Sequence, residues 1–203
     1  MTRLRAALGG VLVLMGLAHG AMALESAPFV TPQTRATLVT DTDRFAGGSF
    51  SAGLRLRMAR GWHTYWQNPG DAGAPPELEF SGLPGTKSGP IAWPTPAIHR
   101  EAGLTTYGYD TEVLLPVTIT ASGAGTLKLS ANWLICANVC IPEQAEFTVA
   151  LPAGLGGKSA ETPLFAAALL ASPRPAPRPI SLRDGELQLS GNGMNADTVR
   201  EAW

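Results

Sequence analysis

Three observations predict an all-β chain, an immunoglobulin-like antiparallel β-sandwich. Two long stretches alternate between apolar residues and mostly polar ones. Glycine and proline are abundant, at 23 and 17 of 203 residues, while charged residues make up only 15%. Only one segment, late in the chain, has the character of a helix. Short strands joined by turns fit this composition better than a helical bundle does.

The chain opens on a segment outside the fold. Thr2-Arg3-Leu4-Arg5 is basic, Ala6 to Ala18 is apolar and uncharged, and Ala21-Met22-Ala23 is a small-x-small cleavage site. That pattern reads as a secretory signal peptide over residues 1–23. Its apolar run is short for a membrane span. Without it the balance moves from 15 basic and 16 acidic residues to 13 and 16, a net charge of −3. Nucleic-acid binding calls for a basic face, so no nucleic-acid partner is expected.

Residues 24–34 read as an extended lead-in, and Arg35 to Val39 as a first strand. Asp41-Thr42-Asp43 is a turn. Phe50, Ala52, Leu54, Leu56 and Met58 then alternate with Ser49, Ser51, Gly53, Arg55 and Arg57. A period of two places one set in the core and leaves the arginines on a solvent face. Trp62, Tyr65 and Trp66 follow, three aromatics in five residues. They read as rings packed into a sandwich core or as an aromatic binding wall. Asn68-Pro69-Gly70-Asp71 has the composition of a turn. Glu77 to Phe80 and Gly89 to Trp93 are short strand candidates. Pro94 to Thr106 reads as a long loop, closed by Tyr107-Gly108-Tyr109-Asp110. Glu112 to Thr120 is an apolar, buried strand.

Leu127, Leu129, Ala131, Trp133 and Ile135 form the second alternating stretch, which runs into Cys136. Ala145, Phe147, Val149 and Leu151 alternate after Cys140. These two strands are expected to pair as a hairpin with the cysteines in the connection. Seven or eight strands between residues 35 and 151 make a sandwich. Glu161 to Ala171 reads as the helix, with Thr162-Pro163 at its start. Ser172 to Pro179 reads as a Pro-rich linker. Ile180 to Leu189 reads as a hairpin around Asp184-Gly185. The expected organisation is a signal peptide (1–23), a β domain (24–155), a helix and linker (156–179), and the start of an incomplete second β domain (180–203).

Cys136 and Cys140 are the only cysteines. Export puts them where disulfides form. Residues four apart in a continuous strand are separated by roughly 13 Å, too far to bond. The chain must therefore turn at Ala137-Asn138-Val139 if they pair. So small a ring is a poor staple, and small rings are the reducible ones. A redox pair, a structural disulfide and a metal site are all open at this point. Zinc would need further ligands, and His63 and His99 read as isolated. Copper(I) could use the two thiolates, with Met58. No cofactor is called for.

In order along the chain come Gly61-Trp62-His63-Thr64-Tyr65-Trp66-Gln67-Asn68-Pro69-Gly70-Asp71, Trp93-Pro94, Tyr107-Gly108-Tyr109, Glu112 to Val117, and Trp133 to Glu143 with both cysteines. This set resembles the N-terminal periplasmic domain of DsbD-type thiol:disulfide interchange proteins, in the ScsB-like (suppressor of copper sensitivity) branch. The resemblance covers about residues 30–152. It implies an immunoglobulin-like fold with a redox-active pair. It implies electron transfer from a membrane-embedded donor domain to thioredoxin-like periplasmic proteins, in the setting of cytochrome c biogenesis or copper tolerance. That would make the chain part of a thiol-disulfide oxidoreductase of the protein-disulfide reductase type, located in the periplasm. By position, Cys140 would be the exchanging thiol and Cys136 the resolving one. Trp62, Tyr65, Trp66, His99, Tyr107 and Tyr109 are the binding or cap candidates, the cap loop corresponding to Pro94 to Thr106. The alternatives are an aromatic-walled binding module with a structural disulfide, and a copper-handling protein.

Overall fold

The computed structural model describes residues 25–101, 103–173, 180–183 and 186–189. The signal-peptide segment, linker residues 174–179, Asp184-Gly185 and residues 190–203 lie outside the described residues. In chain order the elements are β1 (Phe29–Val30), β2 (Thr34–Thr40), β3 (Gly48–Met58), β4 (His63–Gly70), β5 (Glu77–Ser81), β6 (Lys87–Ile91), β7 (Ala97–Glu101), β8 (Leu104–Asp110), β9 (Glu112–Ala121), β10 (Gly125–Cys136), β11 (Cys140–Leu151), α1 (Thr162–Leu170), β12 (Ile180–Arg183) and β13 (Glu186–Leu189).

Two antiparallel sheets face each other, as an immunoglobulin-like sandwich requires. The first has the order β1-β2-β3-β9-β6, and the second β11-β10-β4-β8-β7, with β5 also paired to β10. Alternation decides which side chains fill the space between them. Leu38, Leu54, Leu56, Leu115 and Ile119 come from the first sheet, and Leu127, Leu129, Ile135 and Leu151 from the second. The strands foreseen from alternation are present, and the helix is one residue shorter at each end than expected. β12 and β13 pair antiparallel, from Ile180↔Leu189 to Arg183↔Glu186.

Three expectations change. Pro94 to Thr106 is not an open loop, because β7 and β8 form a hairpin there, with His99 opposite Thr106 and Glu101 opposite Leu104. Asn68-Pro69-Gly70 does not end the strand. β4 bulges between Tyr65, paired with Gly108, and Gly70, paired with Thr106. The turn-forming residues mark that bulge, where proline costs no ladder bond. The arginine face of β3 is also not simply solvated. Arg55 donates to Glu112 at 2.7 Å and to Glu161 at 3.3 Å, beneath the start of α1.

Helix α1 covers the outer face of the first sheet, with Phe165 and Ala168 buried against Val39 and Leu114. This explains why β2 is buried on both faces rather than on alternate residues. Gly53 lies on the same outer face. A Cβ there would stand 2.7 Å from the Leu115 carbonyl oxygen and 2.8 Å from Leu114 Cδ1, so only glycine fits.

Leu54 is fully buried at the centre of the core. Leu54→Ala should destabilise the oxidised protein by about 2–5 kcal/mol. A lower urea midpoint at unchanged m-value would show it. A loss well under 1 kcal/mol would mean that the two sheets do not meet there.

Candidate redox site

The site is built on the end of the β10–β11 hairpin. Twelve rungs run from Gly125↔Leu151 to Cys136↔Cys140. Because odd-numbered residues of β10 point into the core, Cys136 points out of it, with Asn132 and Leu134. The two cysteines are cross-strand neighbours at a Cα–Cα distance of 4.1 Å and form a disulfide. Ala137-Asn138-Val139 make the return, and Ala137 N–H donates to the Val139 carbonyl at 3.0 Å.

The two sulfur-bearing residues differ in access. Cys136 is 1% exposed. Cys140 is exposed, and beside it Val139 presents an apolar side chain to solvent at 61%.

Behind the hairpin the core is braced by polar contacts. Trp133 Nε1 donates to Glu143 Oε2 at 2.8 Å, and Thr31 Oγ1 donates to the other carboxylate oxygen at 2.8 Å. Trp133 and Glu143 are themselves a rung of the ladder. The edge of the Phe29 ring meets Trp133 at 5.6 Å. These contacts pin the hairpin three rungs from the disulfide.

On the outer face, strand β4 lies beside β10. His63 is the register partner of Cys136 on one side and of Asp110 on the other. Four registered residues thus cross the sheet in a row: Cys140, Cys136, His63 and Asp110. Tyr65, two residues on, shares that face. Its hydroxyl lies 3.6 Å from Cys140 Sγ. Thr64, between them, points the other way into the core and donates to the Leu134 carbonyl at 2.9 Å.

Two glycines are required where the chain closes on this stretch of β4. Gly108 is the register partner of Tyr65, and a Cβ there would run into the Thr64 carbonyl. Gly73, at φ +98°, stands against the Tyr65 ring with no room for a side chain. The loop carrying Gly73 buries Tyr65 to 3% exposure.

The sequence-predicted candidates separate by face. Tyr65 meets the disulfide directly. His99, from β7, stacks on His63 at 4.8 Å between ring centroids, so the two histidines are not isolated. His99 Nε2 also lies 3.7 Å from Asp110 Oδ1. Trp62 and Trp66 pack against the core cluster, and Tyr107 meets Trp66 edge-on at 6.5 Å. Tyr109 is buried in the core, its hydroxyl donating to the Pro94 carbonyl at 2.8 Å. Trp62, Tyr65 and Trp66 therefore do not make one wall. His63, Asp110, Glu101 and Gly73 are additional residues of the site. The His63-x-Tyr65 spacing of two, which puts both on one face of a strand, was the signal available in the sequence.

Electrostatics at the site follow from burial. Desolvation, and then the neighbouring His99, push the His63 pKa below its usual 6.5, against the opposing pull of Asp110 and Glu101. Burial, and then Glu101, push the Tyr65 phenol upward, so it stays protonated and able to donate. Burial likewise raises Tyr109. Among the described residues, no group of three or more His, Cys, Asp or Glu is placed to hold a metal ion. A groove of about 460 Å³ runs beside the hairpin, between Ala74, Pro75 and Glu77 on one side and Leu134, Pro142 and Gln144 on the other.

The family model of the thiol:disulfide interchange protein DsbD, N-terminal, matches residues 35–152. The chain belongs to the DsbD N-terminal family. Among solved structures it is similar to the N-terminal periplasmic domain of ScsB from Proteus mirabilis. That similarity has a TM-score of 0.62 at 24% identity, over 79% of this chain and 63% of that one. It shows a shared fold, and the chain spans less than two thirds of that relative's length. The Neisseria meningitidis DsbD N-terminal domain, in the reduced form, matches with a TM-score of 0.32 at 17% identity, over 60% of this chain and 90% of that one. The GAE domain of GGA2p from Saccharomyces cerevisiae matches with a TM-score of 0.36 at 10% identity, over 61% and 96%. No curated protein sequence matches the chain. No helix among the described residues is long and apolar enough to cross a membrane.

A phenol hydrogen bond favours a thiolate over a thiol. Tyr65→Phe should therefore raise the Cys140 pKa in the reduced protein, by about one unit. The pH dependence of iodoacetamide alkylation measures it. An unmoved Cys140 pKa would show that the hydroxyl does not serve that sulfur.

Proposed function

We propose that this chain is a periplasmic thiol–disulfide exchange domain. It carries two electrons from a membrane-embedded donor domain to oxidised periplasmic proteins of the thioredoxin-like kind. The observation that carries the reading is the unequal access of the two bonded cysteines. An incoming sulfur can reach Cys140 but not Cys136. Membership of the DsbD N-terminal family supports the same chemistry.

In the reduced state the Cys140 thiolate attacks one sulfur of a partner's disulfide. The partner's other sulfur leaves with the electron pair, and a mixed disulfide forms. Cys136 then attacks Cys140 Sγ, the Cys136–Cys140 bond re-forms, and the reduced partner departs. Electrons from the donor domain reopen the pair for the next cycle. The β7–β8 hairpin serves as the cap. Its Glu101 is close enough to act electrostatically on both His63 and Tyr65, and Leu104 at its tip is exposed. The groove beside Leu134 and Pro142 is the docking surface for the partner.

A trapping experiment tests the roles. Reduced, desalted Cys136→Ser protein offered an oxidised thioredoxin-like protein should accumulate a covalent adduct that dithiothreitol dissolves. The Cys140→Ser protein should not. Adduct from Cys140→Ser alone would reverse the roles, and none from either variant would remove the exchange reading.

A further inference from the structure

The resolving step poses a problem that the sheet register answers. Cys136 is 1% exposed, and a buried thiol resists ionisation. Only its thiolate can attack the mixed disulfide. Some group must take the proton inside the site.

We propose that His63 is the general base that deprotonates Cys136 for the resolving step, with the His99 ring stacked on it. This rests on the exchange reading above. Cys136 is flanked in the sheet by Cys140 on one side and by His63 on the other. Directly opposed residues have Cβ atoms about 4.5–5.5 Å apart, within reach of an imidazole. Groups face His63 from every strand packed around it among the described residues. Tyr65 shares its own strand, with the rings edge-on at 5.4 Å. Asp110 is its partner on β8, His99 and Glu101 come from β7, and the cysteine pair from β10 and β11.

Each neighbour has a part in the cycle. Burial and His99 disfavour protonated His63 before the reaction, so the base is free at neutral pH. Asp110 and Glu101 favour the imidazolium once it forms. The step balances as follows. The proton of Cys136 Sγ–H moves to His63. The thiolate electron pair forms the bond to Cys140 Sγ, and the bond from Cys140 to the partner breaks with its pair on the partner's sulfur. That thiolate takes up the proton released from His63. The partner disulfide is the oxidant and is reduced by two electrons.

The sign of the pH dependence is fixed. The base form of His63 exists above its pKa and is lost as pH falls through it. Resolution should therefore show an inflection below pH 6.5, the ordinary histidine value. A second rise should appear at high pH, where the thiol ionises unaided.

The test uses the full chain, reduced and desalted, with 5,5′-dithiobis(2-nitrobenzoate) as the probe disulfide. Attack by Cys140 releases one thionitrobenzoate, and resolution by Cys136 releases a second, which is timed by stopped flow. In His63→Gln the second release should slow by about a hundredfold near neutral pH and lose the acid inflection. It should converge on wild type at high pH. In His99→Gln the plateau should persist and the inflection should move to higher pH, because a charge that opposes His63 protonation is gone. A uniform loss at all pH values in His63→Gln, or an inflection unmoved by His99→Gln, would overturn the proposal. If the wild type released only one equivalent, the exchange reading itself would fail. Far-UV circular dichroism on both variants separates a chemical loss from a folding loss.

Discussion

Everything at this site depends on the register of one β-hairpin. β10 and β11 pair through twelve rungs, and the hydrophobic alternation of β10 fixes which residues face the core. Trp133 and Ile135 must be inside, so Cys136 must be outside. A slip of one residue would send the disulfide into the core and Trp133 into solvent. The Trp133–Glu143 hydrogen bond makes that slip costly, since it would take the indole donor away from a buried carboxylate oxygen. The disulfide adds little to this. It closes a ring of only a few residues within a single hairpin and ties no sheet to the other, so its entropic contribution to the fold is small. The hairpin holds the cysteines, and the cysteines are free to open without unlocking the sandwich.

Strand β4 turns that register into chemistry. Its Thr64 is fully buried and bonded to β10, which anchors the strand between β10 and β8. With Thr64 inside, period two sends His63 and Tyr65 to the face that carries the disulfide. One reaches the row of Cys136 and the other lies beside Cys140 Sγ. The two sulfurs thus meet different acid–base surroundings on the same strand. The exposed one has a protonated phenol that can stabilise a thiolate. The buried one has an imidazole biased towards its neutral form.

Much of this was legible before the structure, and the rest was not for a physical reason. The long strands, the helix and the turn between the cysteines follow from local periodicity and spacing. The hairpin of β7 and β8 does not, because Pro94 to Thr106 mixes prolines with polar residues and shows no sustained alternation. The bulge in β4 hides in the same way, since Asn68-Pro69-Gly70 looks like a turn whichever structure it enters. His63 and His99 are separated by two intervening strands in the chain. Nothing local says that β7 will bring its histidine over β8 to stack on that of β4. The aromatic cluster of Trp62, Tyr65 and Trp66 was readable as strand but not as two faces, because which parity faces the core is decided by β8 and β10.

The motif that led to the family resemblance can now be divided by cause. Trp133 and Glu143 are tied by a hydrogen bond on the core side, Gly73 leaves the space that the Tyr65 ring needs, and Gly108 leaves the space of the Thr64 carbonyl. Cys136, Cys140, His63 and Tyr65 stand on the other face. An imidazole partly desolvated beside a buried cysteine is costly for stability alone, since the ring loses hydration there. Its presence on a face otherwise free to be polar is what points to chemistry. The three-residue return then completes the case: it carries an exposed valine next to Cys140, giving an incoming protein an apolar foothold at the one sulfur it can reach.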